Sequence, residues 1–524
     1  MAHPDAGKLP KQVINIRHYE EEFKSPSEPL AKVKFGTSGH RGRLGGGFCR
    51  LHAQAIAQAV ARFHKEKGIE GPILVGGDTR LMAQRTARLC AEVLTANGIP
   101  VILADIPLPT PVFSSEIIAG TAIAALNGTA SHNPPEDMGL KYNPPHGGPA
   151  GTETTSVIEK FANECLDDPK KIKKLSLRNP KAPPLLKTAD IVRPYVDRLA
   201  KVVDLGAIRS SGLRIGIHPL GGASIPFYRC LMEAYDLKDL DIVDKTIDPT
   251  FGFIPLDHDG KIRMDPSSKY PMSPLLDLVK KGKYDFVGAS DPDADRFGTA
   301  TASAGLVNPN HALAILFDYL LTHRPEWPKD LKAGRTIGTT HLIDRIAAAR
   351  NRQVEEVDVG FKYYVEGIRA GRYALAGEES AGLSVYRWTT EKDGILAVML
   401  LAEVMAKTDR DLFDIYKELA AKHGEPAYRR LDIPADAAAT ARVKALKAAA
   451  FSGAKSLAGE AVTGVRDTDG IKLYMKDSWV LARASGTEPI VKLYGESFKG
   501  EAHLKALFAE SAALFGLQGA GVHA

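Results

Sequence analysis

Cysteine is scarce and scattered in this chain. Cys49, Cys90, Cys165 and Cys230 form no CxxC pair. That argues against a disulfide framework or a zinc site and for reduced thiols in the cytosol. Long apolar runs are missing. The two longest, near residues 395–405 and 312–321, are too short and interrupted to span a bilayer. The first residues, MAHPDAGKLPKQ, lack the apolar centre of a secretory signal. Charge of one sign is missing too: 68 Lys plus Arg against 63 Asp plus Glu leave only +5, and no basic run is interleaved with aromatics. Nucleic-acid and membrane partners therefore have no support, while a local positive cleft for an acidic small molecule stays open.

Three reaction signatures are absent as well. No GxSxG elbow surrounds any candidate serine, no GxxxxGK[ST] loop is present, and the acidic string DPDADR lacks the Gly and Glu that would make it an EF-hand.

What is present begins with length. A chain of 524 residues exceeds a single core and predicts three or four domains. From about Lys34 the pattern alternates helix and strand: helix 51–64, strand 72–76 ending in the turn Gly77-Asp78, helix 81–97, strand 101–104, and an apolar strand-like run over 121–126. The Lys- and Pro-rich stretch 163–188 breaks this pattern and reads as a surface excursion before a helix at 191–203. A second α/β unit opens with strand 213–218 and includes strand 286–289. A third has strand 335–340, a helix from Leu342, and strands 353–357 and 373–376. After about Pro434 the order changes to helix 437–450, strands 471–475, 479–482 and 491–496, and helix 501–515, an α+β arrangement. The fold class is therefore α/β: three consecutive α/β domains with mixed, mostly parallel sheets plus a C-terminal α+β domain, arranged around a central cleft. The expected boundaries are 1–205, 206–322, 323–435 and 436–524.

Four strings carry chemistry. TASHNPPEDMGLKYNPPHGGPA (129–150) follows a strand and places Ser131 beside His132 on a turn that Pro134 and Pro135 keep from becoming helical. An isolated loop serine is usually a turn residue, but two Pro-Pro pairs and Gly147-Gly148 make a rigid loop with no evident structural return. Lys141, ten residues on, would serve as a proton carrier if desolvation or nearby cations lower its pKa. DPDADR (291–296) sets Asp291, Asp293 and Asp295 at period two, so in an extended segment the side chains share one face. Three hard oxygen donors without His or Cys suit Mg²⁺. GEESAG (377–382) offers carboxylates and a hydroxyl that either cap a helix or grip sugar hydroxyls. RASGTEP (483–489) is either a hairpin turn or an anion nest built from Arg483 and the backbone around Ser485, Gly486 and Thr487. KFGTSGHRG (34–42), with Arg41, either links a disordered head to the first domain or steadies Ser131. His258, His311 and His341 are isolated and read as surface or packing residues.

Together these strings resemble the α-D-phosphohexomutase superfamily, most closely its bacterial phosphoglucomutase branch, from about Lys34 to Phe515. The resemblance implies an isomerase-class phosphotransferase that interconverts α-D-glucose 1-phosphate and glucose 6-phosphate through phosphoserine and glucose 1,6-bisphosphate. It places the phosphoryl group on Ser131 and Mg²⁺ on Asp291, Asp293, Asp295 and the Ser131 phosphate. It assigns sugar hydroxyls to Gly377, Glu378 and Ser380, and the non-reacting phosphate to Arg483, Ser485, Gly486 and Thr487. Lys141, His132, Arg296 and Lys362 match positive positions near the transfer site, with Lys141 and Lys362 as candidate proton carriers and Arg41 as a further candidate. The string KYNPPHGGPA and the GEES form point to glucose over mannose or glucosamine. Met138 stands where Gly is common and Ala484 where Pro is common, which would loosen loop geometry without removing a functional group. The expected partner is a small phosphosugar, with the protein a monomer or homodimer in the cytoplasm.

Overall fold

The computed structural model describes residues 2–36, 38–179, 183–451, 453, 455–484 and 490–517. The chain divides into two compact units. One comprises Met1–Ala312, Phe361–Ala376 and Ser380–Phe413; the other comprises Leu313–Gly360, Gly377–Glu379 and Asp414–Ala524.

The first unit holds two sheets. The first has six strands in the order His40–Arg43, Asp137–Asn143, Ala124–Gly128, Ile73–Gly77, Val101–Leu103, Leu186–Lys187. Ile73–Gly77 runs parallel to both neighbours, whereas Asp137–Asn143 runs antiparallel to Ala124–Gly128 and to His40–Arg43. Helix Arg50–Lys67 forms because Ala53, Ile56, Ala57, Val60 and Phe63 recur at helical spacing; that stripe is buried on the sheet core. The excursion at 163–188 is less loose than its composition suggests, since Leu186–Lys187 adds a short parallel edge strand beside Val101–Leu103. Nor is the head disordered. His3 and Gly7 donate backbone hydrogen bonds to His258 and Leu256 (both 2.8 Å), and helix Ile16–Lys24 buries Tyr19 and Phe23.

The second sheet has five strands in the order Gly305–Leu306, Phe297–Thr301, Phe286–Ser290, Ile215–His218, Leu240–Ile242. Its centre is parallel and its Phe297 edge antiparallel. Helix Gly394–Thr408 is apolar all round and buried along residues 394–405, which accounts for the long apolar run there. Among the described residues no helix is long and apolar enough to cross a membrane.

In the second unit, strands Lys332–Thr336 and Val354–Val357 pair in parallel, with helix Leu342–Ala349 between them. The strand expected to reach residue 340 stops at Thr336. There the chain turns: the Thr339 N–H donates to the Thr336 carbonyl at 3.0 Å and the two hydroxyls lie 2.7 Å apart. The tail is a five-stranded antiparallel sheet in the order Ala427–Pro434, Ile490–Ser497, Ser478–Ala484, Ile471–Tyr474, Gly464–Arg466. Helix Glu501–Leu514 lays Leu504, Leu507 and Phe508 into the core of that sheet.

Candidate active site

Strand Ala124–Gly128 is buried throughout and delivers Ser131 just past its carboxyl end, the position at which parallel sheets present ligand-binding loops. Ser131 is 2% exposed and has φ 55°, left-handed backbone that a non-glycine residue adopts only when its surroundings compel it. The compulsion is visible. The Ser131 N–H donates to Thr129 Oγ1 at 2.8 Å, and that hydroxyl donates to Asp78 Oδ2 at 2.6 Å. Arg80 donates to the carbonyls of Ser131, Pro134 (3.3 Å) and Asp137 (2.7 Å), and its Nε donates to Asp78 at 3.1 Å. A buried Asp78–Arg80 pair thus clamps the loop from below.

The serine hydroxyl donates to Asp291 Oδ2 at 2.6 Å and lies 3.3 Å from His132 Nδ1. Asp291, Asp293 and Asp295 converge, with one oxygen from each within 4.8 Å of the others and all three side chains buried. They do not converge by strand alternation. Strand Phe286–Ser290 has ended, Pro292 follows, and Ala294 takes φ 51°, so a turn rather than an extended face gathers the carboxylates.

Lys141, on strand Asp137–Asn143, donates to Asp293 Oδ2 (2.7 Å) and Asp295 Oδ2 (2.9 Å). Burial opposes its charge, but the two carboxylates outweigh burial and raise its pKa above the ordinary lysine value. Burial and the neighbouring Asp293 and Asp295 push Asp291 well above the usual carboxylate range. Asp293 Oδ1 and Asp295 Oδ1 are buried without a hydrogen-bond partner. Three converging buried carboxylates, oxygen-only donors and two oxygens without a hydrogen-bond partner fit a hard divalent cation such as Mg²⁺.

The remaining sequence candidates in this unit fall into two groups. Burial and the Arg296 guanidinium push the His132 imidazole down to about 3, against the pull of Asp265. Arg296 pairs with Asp265 at 3.6 Å, and its backbone N–H donates to Asp291 Oδ1 at 3.0 Å. Arg41 donates to Ser38 Oγ at 2.8 Å; burial depresses its pKa while Asp295 and Asp293 pull it up. These belong to the serine cluster. Lys362 instead donates to Thr152 Oγ1 at 3.1 Å, and Ser380 is half-buried. Met138 is fully buried in the first core, so its departure from Gly fills space rather than loosening the loop.

In the second unit Gly377 and Glu378 end strand Tyr373–Glu378. A side chain at Gly377 would meet Leu313 Cδ2 at 2.3 Å, so glycine lets the buried Leu313 pack against this strand end without shifting. Glu378 is 4% exposed and accepts the Gly360 N–H at 3.1 Å. Arg483, on strand Ser478–Ala484, donates from Nε to both oxygens of Asp469 at 2.8 and 2.9 Å. Ser485, Gly486 and Thr487 lie outside the described residues. His341 is not isolated as expected: it stacks on Trp479 at 5.4 Å and lies 3.1 Å from the buried Lys472 Nζ. His311 is buried, which holds its pKa down to about 4, and His258 is exposed beside Asp257.

Models of one family match the chain in series: phosphoglucomutase/phosphomannomutase alpha/beta/alpha domain I over residues 32–166, domain II over 193–305, domain III over 308–423 and the C-terminal domain over 432–514. The chain belongs to the phosphoglucomutase/phosphomannomutase family. A phosphoglucomutase of Komagataeibacter xylinus is 40% identical to it, across 97% of this chain and 96% of that protein. Phosphoglucomutase-1 of Homo sapiens is 28% identical across 76% of this chain and 74% of its own length. A crystal structure from Thermus thermophilus, provisionally named a phosphomannomutase, superimposes with a TM-score of 0.76 at 28% identity, covering 93% of this chain and 99% of that one.

The phosphohexomutase family is one of isomerases that move a phosphoryl group, so the chain is an enzyme of that class. Several residues around its serine escaped the sequence reading. Thr110 donates to Asp293 Oδ2 (2.5 Å) and accepts from Lys141 (3.2 Å) and Asn127 (2.8 Å). Lys392 lies 3.5 Å from Asp295, and its neighbour Glu391 is pushed by burial up to about 7, against the pull of Lys141 and Lys392. The one signal for Asp78 and Arg80 was their place at the exit of strand Ile73–Gly77, where the string GDTR repeats the strand-then-charge pattern seen at Asp291.

Proposed function

We propose that this enzyme interconverts α-D-glucose 1-phosphate and glucose 6-phosphate, carrying the phosphoryl group on Ser131 and passing through glucose 1,6-bisphosphate. The observation that supports this reading best is the Ser131 hydroxyl, pinned in a left-handed turn and 2.6 Å from the buried trio Asp291, Asp293, Asp295. A hydroxyl held this way is positioned before reaction, and positioning with electrostatic stabilisation does most of the work in phosphoryl transfer.

In this reading there are four domains, divided near 205/206 and 322/323, with the last boundary moved from 435/436 to ahead of Ala427 because strand Ala427–Pro434 pairs within the tail sheet. Glucose 1-phosphate rests its own phosphate on Arg483, Ser485, Gly486 and Thr487 and its hydroxyls on Glu378 and Ser380. O6 attacks the phosphorus of phospho-Ser131. The bond to Ser131 Oγ breaks as the bond to O6 forms, and the O6 proton leaves to Lys362, or to Lys141 once a cation on Asp293 and Asp295 draws those carboxylates away and its pKa falls. Asp291, Asp293 and Asp295 would hold Mg²⁺, which would supply charge neutralisation at the transferring group. Arg296 and Arg41 add positive charge, and Arg80 keeps the serine backbone fixed throughout. The bisphosphate then reverses end for end. Its other phosphate returns to Ser131, and glucose 6-phosphate departs. The four free cysteines support a cytosolic setting for a monomer or homodimer.

The test pairs an assay with a mass. Protein incubated with glucose 1,6-bisphosphate is expected to gain one phosphate on the peptide holding Ser131. With glucose 1-phosphate and Mg²⁺ it is expected to yield glucose 6-phosphate. Ser131→Ala is expected to lower turnover by roughly 10⁴-fold or more. Free phosphate as the main product, or near-normal conversion by the alanine variant, rules the reading out.

A further inference from the structure

We infer that Asp469 is a positioning residue that ties recognition of the substrate's phosphate to recognition of its hydroxyls. This rests on the roles proposed above for Arg483 and Glu378. Asp469 sits at the bend between strands Gly464–Arg466 and Ile471–Tyr474 of the tail sheet. Its carboxylate grips Arg483 Nε with both oxygens, and Oδ2 also accepts the Val359 backbone N–H at 3.0 Å. The next N–H along the chain, that of Gly360, donates to Glu378 Oε1 at 3.1 Å. Gly360 has φ 130°, a conformation side chains rarely adopt, and there it directs its N–H to Glu378. A continuous path thus runs from the guanidinium through one carboxylate and two consecutive amides to the second carboxylate, all inside one compact unit.

The hairpin that carries Asp469 is fastened to the same short segment at several points. Arg466 donates to the Glu356 carbonyl and carboxylate (both 3.1 Å) and to Asp358 at 2.8 Å. Thr468 donates to Asp358 at 2.5 Å. Lys472 donates to Glu356 at 2.8 Å and to the Ile337 carbonyl at 2.6 Å. With residues 356–359 anchored to the hairpin, a shift of Asp469 toward a phosphate-bound Arg483 carries Val359 and Gly360 with it. The acceptor of the Gly360 amide, Glu378, feels that shift. Charge-assisted hydrogen bonds on the first link make the path stiff where the load enters. The consequence is that seating the phosphate sharpens the reading of hydroxyls. Loss of Asp469 uncouples the two even though neither Arg483 nor Glu378 is altered.

The test uses the full chain and a panel of 2-, 3- and 4-deoxyglucose 1-phosphates. Wild type is expected to lose kcat/KM on the analogue lacking the hydroxyl that Glu378 reads, and Glu378→Gln to flatten that loss. Asp469→Ala is expected to raise KM for glucose 1-phosphate about tenfold and to shrink the same deoxy penalty threefold or more. Asp469→Asn keeps an oxygen for Val359 but surrenders the ionic grip, so it is expected to raise KM and to shrink the penalty less than Asp469→Ala does. Asp469→Glu is expected to restore part of both. An Asp469→Ala enzyme with raised KM and an intact penalty overturns the coupling, because the residue then serves Arg483 alone. An Asp469→Asn enzyme with unchanged KM overturns it as well, which covers the case in which the alanine variant fails to fold. A wild-type enzyme with no Glu378-dependent penalty on any analogue instead sinks the proposed role of Glu378, and the inference with it.

Discussion

In the serine-bearing unit, three buried carboxylates converge, two of them on the buried ammonium of Lys141, and two of their oxygens have no hydrogen-bond partner. In the tail-bearing unit a single carboxylate, Glu356, is held at once by Arg335, Arg466, Lys472 and Tyr474. Its pKa falls far below the ordinary glutamate value: burial opposes the charge, but His341, Arg335 and Lys472 prevail. Burying Lys472 beside Arg335 brings its own pKa down to about 7, against the pull of Glu356. The first cluster has Lys141, Lys392 and Arg296 beside its carboxylates and still leaves two carboxylate oxygens without a hydrogen-bond donor, which fits a cation from outside. The second is internally balanced, and its product is rigidity. Both are buried and ionic, yet only the first is unbalanced in its hydrogen bonding, with two buried carboxylate oxygens unsatisfied.

Substitutions break or sharpen this contrast. The largest effect beyond the serine itself is expected from Asp293→Asn, which removes charge from the unbalanced cluster and disturbs the acceptor shared by Thr110 and Lys141. Turnover is expected to fall by about 10²–10³-fold, with activation moved to higher Mg²⁺ in a titration; an unchanged titration counts against a metal at the trio. Next comes Arg80→Met. It leaves Asp78, whose pKa burial already raises, without its guanidinium and cuts the loop clamp. A loss of about 3–5 kcal/mol is expected in urea unfolding. Lys472→Met is expected to cost the least, within about 1 kcal/mol, because Glu356 keeps Arg335, Arg466 and Tyr474 and a buried ammonium is exchanged for an apolar chain. If Lys472→Met proves as costly as Arg80→Met, the claim of internal balance in the tail-bearing unit fails.

Much of the α/β order was legible in the sequence because it is written in local periodicity. The alanine-rich stripe of Arg50–Lys67 and the apolar strands before Ser131 and Asp291 are signals confined to a few neighbouring residues. The acidic string illustrates the boundary of that method. Period two predicts one face of a strand, but Pro292 and the left-handed Ala294 turn the segment, and the carboxylates meet by a different route. Beyond the place of Asp78 and Arg80 at a strand exit, these two residues and Thr110 gave no signal, because they reach Thr129, Ser131 and Asp293 across 51 or more residues, which no local pattern encodes. The charge on Lys141 lies beyond local pattern for a related reason. Burial was legible in principle, but the two carboxylates that outweigh it arrive from a different sheet.

The left-handed backbone at residue 131 also decides which alcohol stands there. Threonine offers the same oxygen chemistry, but its branched Cβ crowds the main chain in the geometry that Arg80, Thr129 and Asp78 enforce. Serine is therefore selected by torsional fit, and an exchange for its methylated homologue tests conformation while leaving the hydroxyl in name untouched.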